Sequence, residues 1–320
     1  MKIVVTGAAG FIGSHTAQAL KAQGAEVIGI DNYNDYYTPK QKRTNAKELQ
    51  EQNIPIHELD IRSEETTKLI KEYQPDTIIH LAAMAGVRSS LEKPLTYLNV
   101  NVDGTQNILE AAKHTKAHVI LASSSSIYGK RHDAPFKETD RTDKQISPYA
   151  TSKKAAELLC QTHTHNTKLP TTCLRFFTVY GERGRPDMAP YKFMKLILEE
   201  TPITRYGDGT SQRDYTYVGD VVQGIIAAAH NPNGFEIYNL GNNQPTSLNT
   251  FIATIEEITN KKATIKQQPV PTGDVPLTCA DITKAQAQLN YQPKTSLKEG
   301  LTKQYNWYKK HQSTSATTKK

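Results

Sequence analysis

Tyr149 and Lys153 stand four positions apart in Tyr149-Ala-Thr-Ser-Lys153, and on a helix positions i and i+4 lie on one face. A phenol and an ammonium group then line the same side of one pocket. A fixed positive charge a few ångströms away favours phenolate, lowering a tyrosine pKa from about 10 toward neutrality. The pair is a candidate general base. Tyr-x-x-x-Lys also arises often by chance, so its meaning depends on whether the rest of the chain builds a site around it.

The amino-terminal half offers a nucleotide site. Lys2-Ile-Val-Val-Thr6 is a short β-branched run suited to a buried parallel strand, followed by Gly7-Ala-Ala-Gly10-Phe11-Ile12-Gly13 and a predicted helix over 14–23. In a strand–glycine loop–helix unit, Gly7 permits the tight turn, Gly10 admits a pyrophosphate to the backbone and Gly13 allows close helix packing. A second strand, Glu26-Val-Ile-Gly-Ile30, ends at Asp31. An acid at that tip accepts hydrogen bonds from the adenosine ribose and repels a 2′-phosphate, which favours NAD over NADP. Ile56 to Asp60 ends another strand in an acid; Asp60 either bonds the adenine amino group or belongs to the N-cap region of the helix that follows. Thr77-Ile-Ile-His-Leu-Ala-Ala83 runs into small residues against which a nicotinamide can lie. The stretch 99–113 is predicted helical. His118 to Ala122 is a further strand running into Ser123-Ser-Ser-Ser126. Strand and helix alternating in this way predict a Rossmann-type α/β fold with a doubly wound parallel sheet. Ligands of such sheets sit at the carboxyl ends of the strands, so the serines are placed to meet a substrate hydroxyl beside Tyr149; a plain polar turn is the competing reading.

The chain has 320 residues, enough for one large or two closely joined domains. With 37% hydrophobic and 22% charged residues it reads as a globular protein. A net charge of +7 is compatible with anionic ligands, but basic residues are dispersed except at the carboxyl end, so no nucleic-acid surface is expected. Cys160, Cys173 and Cys279 are widely spaced, which points to reduced thiols rather than disulfides or a metal site. Without a charged-then-apolar leader or a run of about 18 apolar residues, a cytoplasmic protein without a membrane segment is expected. The stretch 311–320, rich in Ser, Thr and Lys, is expected to be disordered. Residues 189–200 and 218–230 read as helices. The strand around Ile237 to Gly241 is expected to rejoin the large sheet, interleaving an NAD-binding domain (1–180, joined by part of 215–245) with a smaller α/β substrate domain (181–310).

Taken together, Gly7-x-x-Gly10-x-x-Gly13, Asp31, Asp60, His80-Leu-Ala-Ala83, Asn99, Ser123-Ser-Ser125, Tyr149-x-x-x-Lys153 and Leu174-Arg-Phe-Phe-Thr178-Val-Tyr-Gly181 resemble the extended short-chain dehydrogenases/reductases of the NAD-dependent sugar-nucleotide epimerase/dehydratase kind, from Met1 to about Trp307. The stretches 31–37, 85–89 and 175–188 resemble the UDP-glucuronate 4-epimerase group. The resemblance implies that Phe11, Ile12, Asn32, Ile61, Leu81, Ala82, Ala83 and Asn99 join the glycines, Asp31 and Asp60 around NAD. It also implies that Lys153 bonds the nicotinamide ribose and lowers the pKa of Tyr149, and that Ser124 and Ser126 meet the sugar near its fourth hydroxyl. Dehydratases of the family carry an Asp-Glu pair in the serine loop and UDP-glucuronate decarboxylases a Glu; here Ser126-Ile127 stands there, which favours an epimerase. Arg213, in Gly207-Asp-Gly-Thr-Ser-Gln-Arg213, falls where the family binds diphosphate, and Asp274 where it contacts the uridine ribose. Two departures are Cys279, where an aromatic is common, and the lack of an arginine before Gly273.

The activity implied is interconversion of UDP-glucuronate and UDP-galacturonate through a 4-keto sugar. That intermediate is a β-keto acid, which loses carbon dioxide when the carboxylate bond stands perpendicular to the carbonyl plane. Arg185, a bidentate carboxylate binder, with Thr178 and backbone near Gly86 and Arg88, is the candidate restraint; an ordinary loop arginine is the alternative. The rival readings are a UDP-glucose or UDP-N-acetylglucosamine 4-epimerase and a non-catalytic NAD sensor, and a homodimer is implied by resemblance alone.

Overall fold

The computed structural model describes residues 1–131, 133–270 and 275–317. The β-branched run at the amino terminus forms β1 (Lys2–Thr6), and after the glycine loop α1 covers Phe11–Ala22. There follow β2 (Glu26–Asp31), α2 (Pro39–Gln50), β3 (Ile56–Glu58), α3 (Glu64–Tyr73), β4 (Thr77–His80), α4 (Val87–Glu92), α5 (Pro94–Leu98), a π-helical turn (Asn99–Asp103) and α6 (Gly104–Thr115). Next come β5 (His118–Ser124), a 3-10 turn (Ser125–Tyr128), α7 (Pro148–Thr167), β6 (Thr171–Phe176), β7 (Thr178–Tyr180), α8 (Ala189–Leu198), β8 (Ile203–Tyr206), β9 (Gln212–Tyr217), α9 (Val218–Ala229) and β10 (Phe235–Leu240). The chain closes with β11 (Pro245–Ser247), α10 (Leu248–Thr259), β12 (Ile265–Gln268), α11 (Thr283–Leu289) and α12 (Leu297–Thr317).

Seven parallel strands form one sheet in the order β10-β6-β5-β4-β1-β2-β3. Its interior strands are apolar on both faces, as buried parallel strands must be. Ile3 and Val5 pack with α1 and α9 on one side, through Leu20, Val221 and Ile225. Val4, Ile78 and Val119 pack on the other with Ile108 and Leu109 of α6 and Cys160 of α7. The strand order reverses between β1 and β4, the crevice where ligands of such sheets bind. As expected, β10 returns to this sheet from the later half of the chain, beside β6. A second core of Phe193, Met194, Ile197, Phe251, Ile255 and Leu301 holds the smaller unit together, flanked by the sheets β11-β9-β7 and β12-β8.

The stretch 99–113 is helical as expected, opening with the π turn before α6. Residues 39–50, for which the sequence leads to no expected element, form α2, where only Ala46 and Leu49 supply apolar packing while buried Lys42 and Asn45 share that face. One expectation is corrected. Helix α12 runs into the stretch expected to be disordered, since no proline interrupts 297–317; residues 318–320 lie outside the described residues. Among the described residues no helix is long and apolar enough to cross a membrane. The three cysteines are buried and unpaired.

Candidate active site

A cavity of about 740 Å³ runs along the carboxyl ends of β1, β2, β4 and β5 and under the smaller unit. Its glycine floor is forced by contact. Gly7 sits at φ +68°, where a Cβ would lie 2.8 Å from the Ala82 amide nitrogen, and a Cβ on Gly13 would overlap the Gly7 carbonyl. Helix α1 points its first turn here with no side-chain cap at Gly10, leaving backbone N–H groups for an anion. Asp31, only 7% exposed, accepts from the amides of Ala9 (3.0 Å) and Tyr33 (2.8 Å). Burial raises its pKa, and the Lys42 ammonium opposes that rise. Phe11, Ile12, Asn32, Ile61, Leu81, Ala82 and Ala83 line the same wall.

Asp60 does not line the cavity. Arg62 grips its carboxylate through Nε and Nη2, both at 2.8 Å, and Asn32 Nδ2 donates to it at 2.9 Å. The Arg62 bonds hold its pKa down at about 2. Ser63, not Asp60, is the N-cap of α3. Asn99 is likewise off the cavity wall, which Val100 meets instead. The π turn changes which side chains face inward, and the buried amide is Asn101, bridging the Met84 backbone and the Ser152 hydroxyl, each at 2.8–2.9 Å.

Helix α7 begins at Pro148 behind a Ser147 N-cap and turns Tyr149 and Lys153 toward the cavity together. The side chain of Tyr149 is hydrogen-bonded to Ser124, and its ring meets Tyr97 edge-on at 6.1 Å. The expected charge effect is corrected here. Burial pushes the Tyr149 hydroxyl above the usual tyrosine range; the forces opposing it are the Ser124 bond and the Arg185 guanidinium. Lys153 instead donates to the Ala122 carbonyl at 2.8 Å, and burial brings its own pKa down to about 8. The neighbouring His80, bonded to Thr6 (2.7 Å) and Thr105 (3.2 Å), is held neutral, its pKa brought to about 3 by burial and then by the Lys153 charge.

The serine loop is built from beneath. Ser123 donates to Glu157 at 2.6 Å, and Glu157 takes two bonds from Arg175, each 2.9 Å. Arg175 in turn reaches Tyr128 at 3.0 Å. This fully buried ion pair fixes the end of β5 against α7 and β6. Ser124 caps the 3-10 turn by accepting from the Ser126 amide at 3.2 Å. Ser126 Oγ lines the cavity and is buried without a partner among the described residues, an oxygen placed to meet a polar ligand.

Gly86, Arg88, Thr178, Arg185 and Arg213 also line the cavity. The Arg88 guanidinium lies 4.6 Å over the Tyr206 ring, and Arg213 Nη1 donates to the Gln212 carbonyl at 2.8 Å. Asp274 lies outside the described residues. Sequence reasoning missed Tyr36, Tyr37, Lys42 and Asp187, all on the cavity wall. The tyrosine-rich run after Asp31 was visible, but nothing in it signalled a fold back against residue 185.

The family model described as GDP-mannose 4,6 dehydratase matches residues 4–304. A UDP-glucuronate 4-epimerase of Thermodesulfobacterium geofontis is 43% identical over 312 residues, covering 96% of each chain. The UDP-glucuronic acid 4-epimerase of Bacillus cereus, solved with UDP-glucuronic acid and NAD, superposes with a TM-score of 0.91 at 38% identity, covering 97% of this chain and 100% of that one. The UDP-glucose 4-epimerase of Thermotoga maritima, solved with UDP-glucose, gives 0.90 at 31% identity over 98% and 100%. The chain therefore belongs to the nucleotide-sugar epimerase/dehydratase family of extended short-chain dehydrogenases/reductases.

Proposed function

We propose that this protein is an NAD-dependent UDP-glucuronate 4-epimerase, interconverting UDP-glucuronate and UDP-galacturonate. The observation that carries it is the placing of Arg185 in the same cavity as Tyr149 and the unpartnered Ser126 hydroxyl, with no acid in the serine loop. Of the carboxylates lining the cavity among the described residues, Asp31 sits at the tip of β2 and Asp187 is paired with Arg185. Asp31 is engaged by the Ala9 and Tyr33 amides and Asp187 by Arg185 and Tyr36.

The residues fit NAD. The uncapped start of α1 and the Gly7 and Gly13 cradle would take the pyrophosphate, Asp31 the adenosine ribose, and the Ala82–Ala83 backbone the nicotinamide side. Bound there, NAD would supply reversible hydride chemistry at the sugar's fourth carbon. Tyr149 takes the proton of the fourth hydroxyl and gives it back. Lys153, a cation at neutral pH, orients the ribose. Ser124 and Ser126 hold the reacting oxygen, Arg213 and Asp274 grip the UDP while the ring turns, and Arg185 with Thr178 and the backbone at Gly86 and Arg88 restrains the carboxylate. In this reading residues 1–180 with part of 215–245 bind NAD and 181–310 cover the sugar nucleotide. The protein works in the cytoplasm as a homodimer through the helices containing residues 99–113 and 149–163, α6 and α7, as the family resemblance implies.

The test is incubation of purified protein with UDP-glucuronate, without added cofactor, following sugars by NMR. UDP-galacturonate forms, is lost in Tyr149→Phe, and is lost in Arg185→Ala while UDP-glucose turnover survives. Pentose products, or reaction with UDP-glucose alone, would refute the role given to Arg185.

A further inference from the structure

The Arg185 fork already holds a carboxylate. Nε donates to Asp187 Oδ1 at 3.1 Å and Nη2 to Oδ2 at 2.6 Å, the side-on bidentate geometry in which arginine holds any carboxylate. Tyr36 braces the pair: its hydroxyl accepts from Nη2 at 3.3 Å and donates to Asp187 Oδ2 at 3.4 Å. Its ring lies 5.1 Å from the guanidinium carbon. The two partners are unequal in access. The Asp187 side chain is 37% exposed and that of Arg185 only 16%, so the acid can move into water while the arginine stays beside Tyr149. Both line the cavity.

We infer that Asp187 is a resident competitor for the sugar's carboxylate, neutralising Arg185 in the free protein and displaced from its Nε and Nη2 edge when a uronate arrives. The inference rests on the uronate reading above and makes Asp187 a specificity-determining residue that acts through Arg185. Each uronate must break one charge-assisted pair to form another, so Arg185 contributes less to ground-state affinity than a free guanidinium would. A neutral hexose leaves the Asp187–Arg185 pair closed. The Arg185–Asp187 pair then carries no net charge next to that sugar.

The experiment compares wild type with Asp187→Asn, which keeps the shape and removes the charge, and with Asp187→Ser as a second variant. Both UDP-glucuronate and UDP-glucose are assayed, and UDP-glucuronate is also titrated calorimetrically into the same variants carrying Tyr149→Phe. The ratio of KM for UDP-glucuronate to KM for UDP-glucose is expected to fall about tenfold, equivalent to about 1.4 kcal/mol. Calorimetric affinity rises to match, the change appears in KM rather than kcat, and the calorimetric gain vanishes when Asp187→Asn is made in an Arg185→Ala, Tyr149→Phe background. A KM ratio that stays put or rises in a protein active on UDP-glucuronate overturns the inference alone: Asp187 would then be positioning Arg185. An equal fall in both KM values also overturns it, since that is a general effect of removing one negative charge near an anionic ligand. Wild-type protein inactive on UDP-glucuronate but active on UDP-glucose overturns the uronate reading and the inference together.

Discussion

Lys153 is required by the proposed chemistry and destabilises the fold that holds it. It is 4% exposed, and burial lowers its pKa from 10.5 to about 8 against the opposing influence of Cys173, Cys160 and Glu157. At about 1.36 kcal/mol per pH unit, that difference corresponds to on the order of 3 kcal/mol of unfavourable free energy for the charged lysine in the folded state. Lys153→Met removes the charge, fills the space with a chain of similar length, and forfeits the bond to the Ala122 carbonyl, worth about 1 kcal/mol. Nucleotide-free Lys153→Met is therefore expected to be about 2 kcal/mol more stable than wild type at pH 7, while its epimerase activity falls by on the order of 100-fold or more. The pH dependence fixes the cause. Because the folded pKa lies below the unfolded one, the unfolded chain binds more protons between them, and wild-type stability rises with pH across that window. The gap between variant and wild type is full below about pH 8 and narrows as pH rises toward 10.5. Urea unfolding of both proteins at pH 7, 9 and 10 tests this. A variant less stable than wild type at pH 7, or a gap that does not close, would refute the reasoning.

Two further substitutions probe the scaffold. Gly13→Ala places a Cβ onto the Gly7 carbonyl, so α1 must shift from the glycine loop; a stability loss of about 1–3 kcal/mol is expected, with less nucleotide retained through purification, read from the ratio of absorbance at 260 and 280 nm. Glu157→Gln leaves Arg175, only 1% exposed, without its charge partner and costs about 3–5 kcal/mol. The apolar double substitution Glu157→Leu with Arg175→Met recovers most of that loss in chemical denaturation, which a mere packing defect would not allow.

Much of the site was legible because its parts are local. The turn at Gly7 and Gly13, the acid ending β2 and the serines ending β5 each depend on a strand and the few residues after it, and the β-branched runs mark those strands plainly. The doubly wound parallel sheet follows from the alternation of strands and helices. What stayed hidden depends on long-range contact. Tyr36 meets Arg185 across 149 positions, and the Ser123–Glu157–Arg175 chain joins three elements, neither of which a local pattern announces. Asn99 was assigned from a motif, yet the π turn leaves Val100 on the cavity wall and makes Asn101 the buried amide, since one extra residue per turn changes which side chains share a face.

The Tyr149–Lys153 pair shows the same limit within four residues. Helical spacing established that the two groups share a face and so reach one cavity, but a shared face does not say which charge governs the phenol. The Lys153 ammonium is anchored on a β5 carbonyl as a desolvated cation. The guanidinium that pulls the phenol toward ionisation belongs to Arg185, on the loop after β7. Acid–base chemistry at Tyr149 is thus coupled to the group proposed to grip the uronate, and through Asp187 to whether that grip is engaged. When the sugar's carboxylate replaces that of Asp187, one negative charge substitutes for another, so the field on Tyr149 stays nearly constant from the free enzyme to the complex. An Asp187→Asn protein lacks that compensation. Its free form presents Tyr149 with an unneutralised Arg185, so the acid limb of its kcat/KM profile for UDP-glucose should lie at lower pH than in wild type, whereas coincident profiles would show that the charge at Arg185 does not reach the phenol.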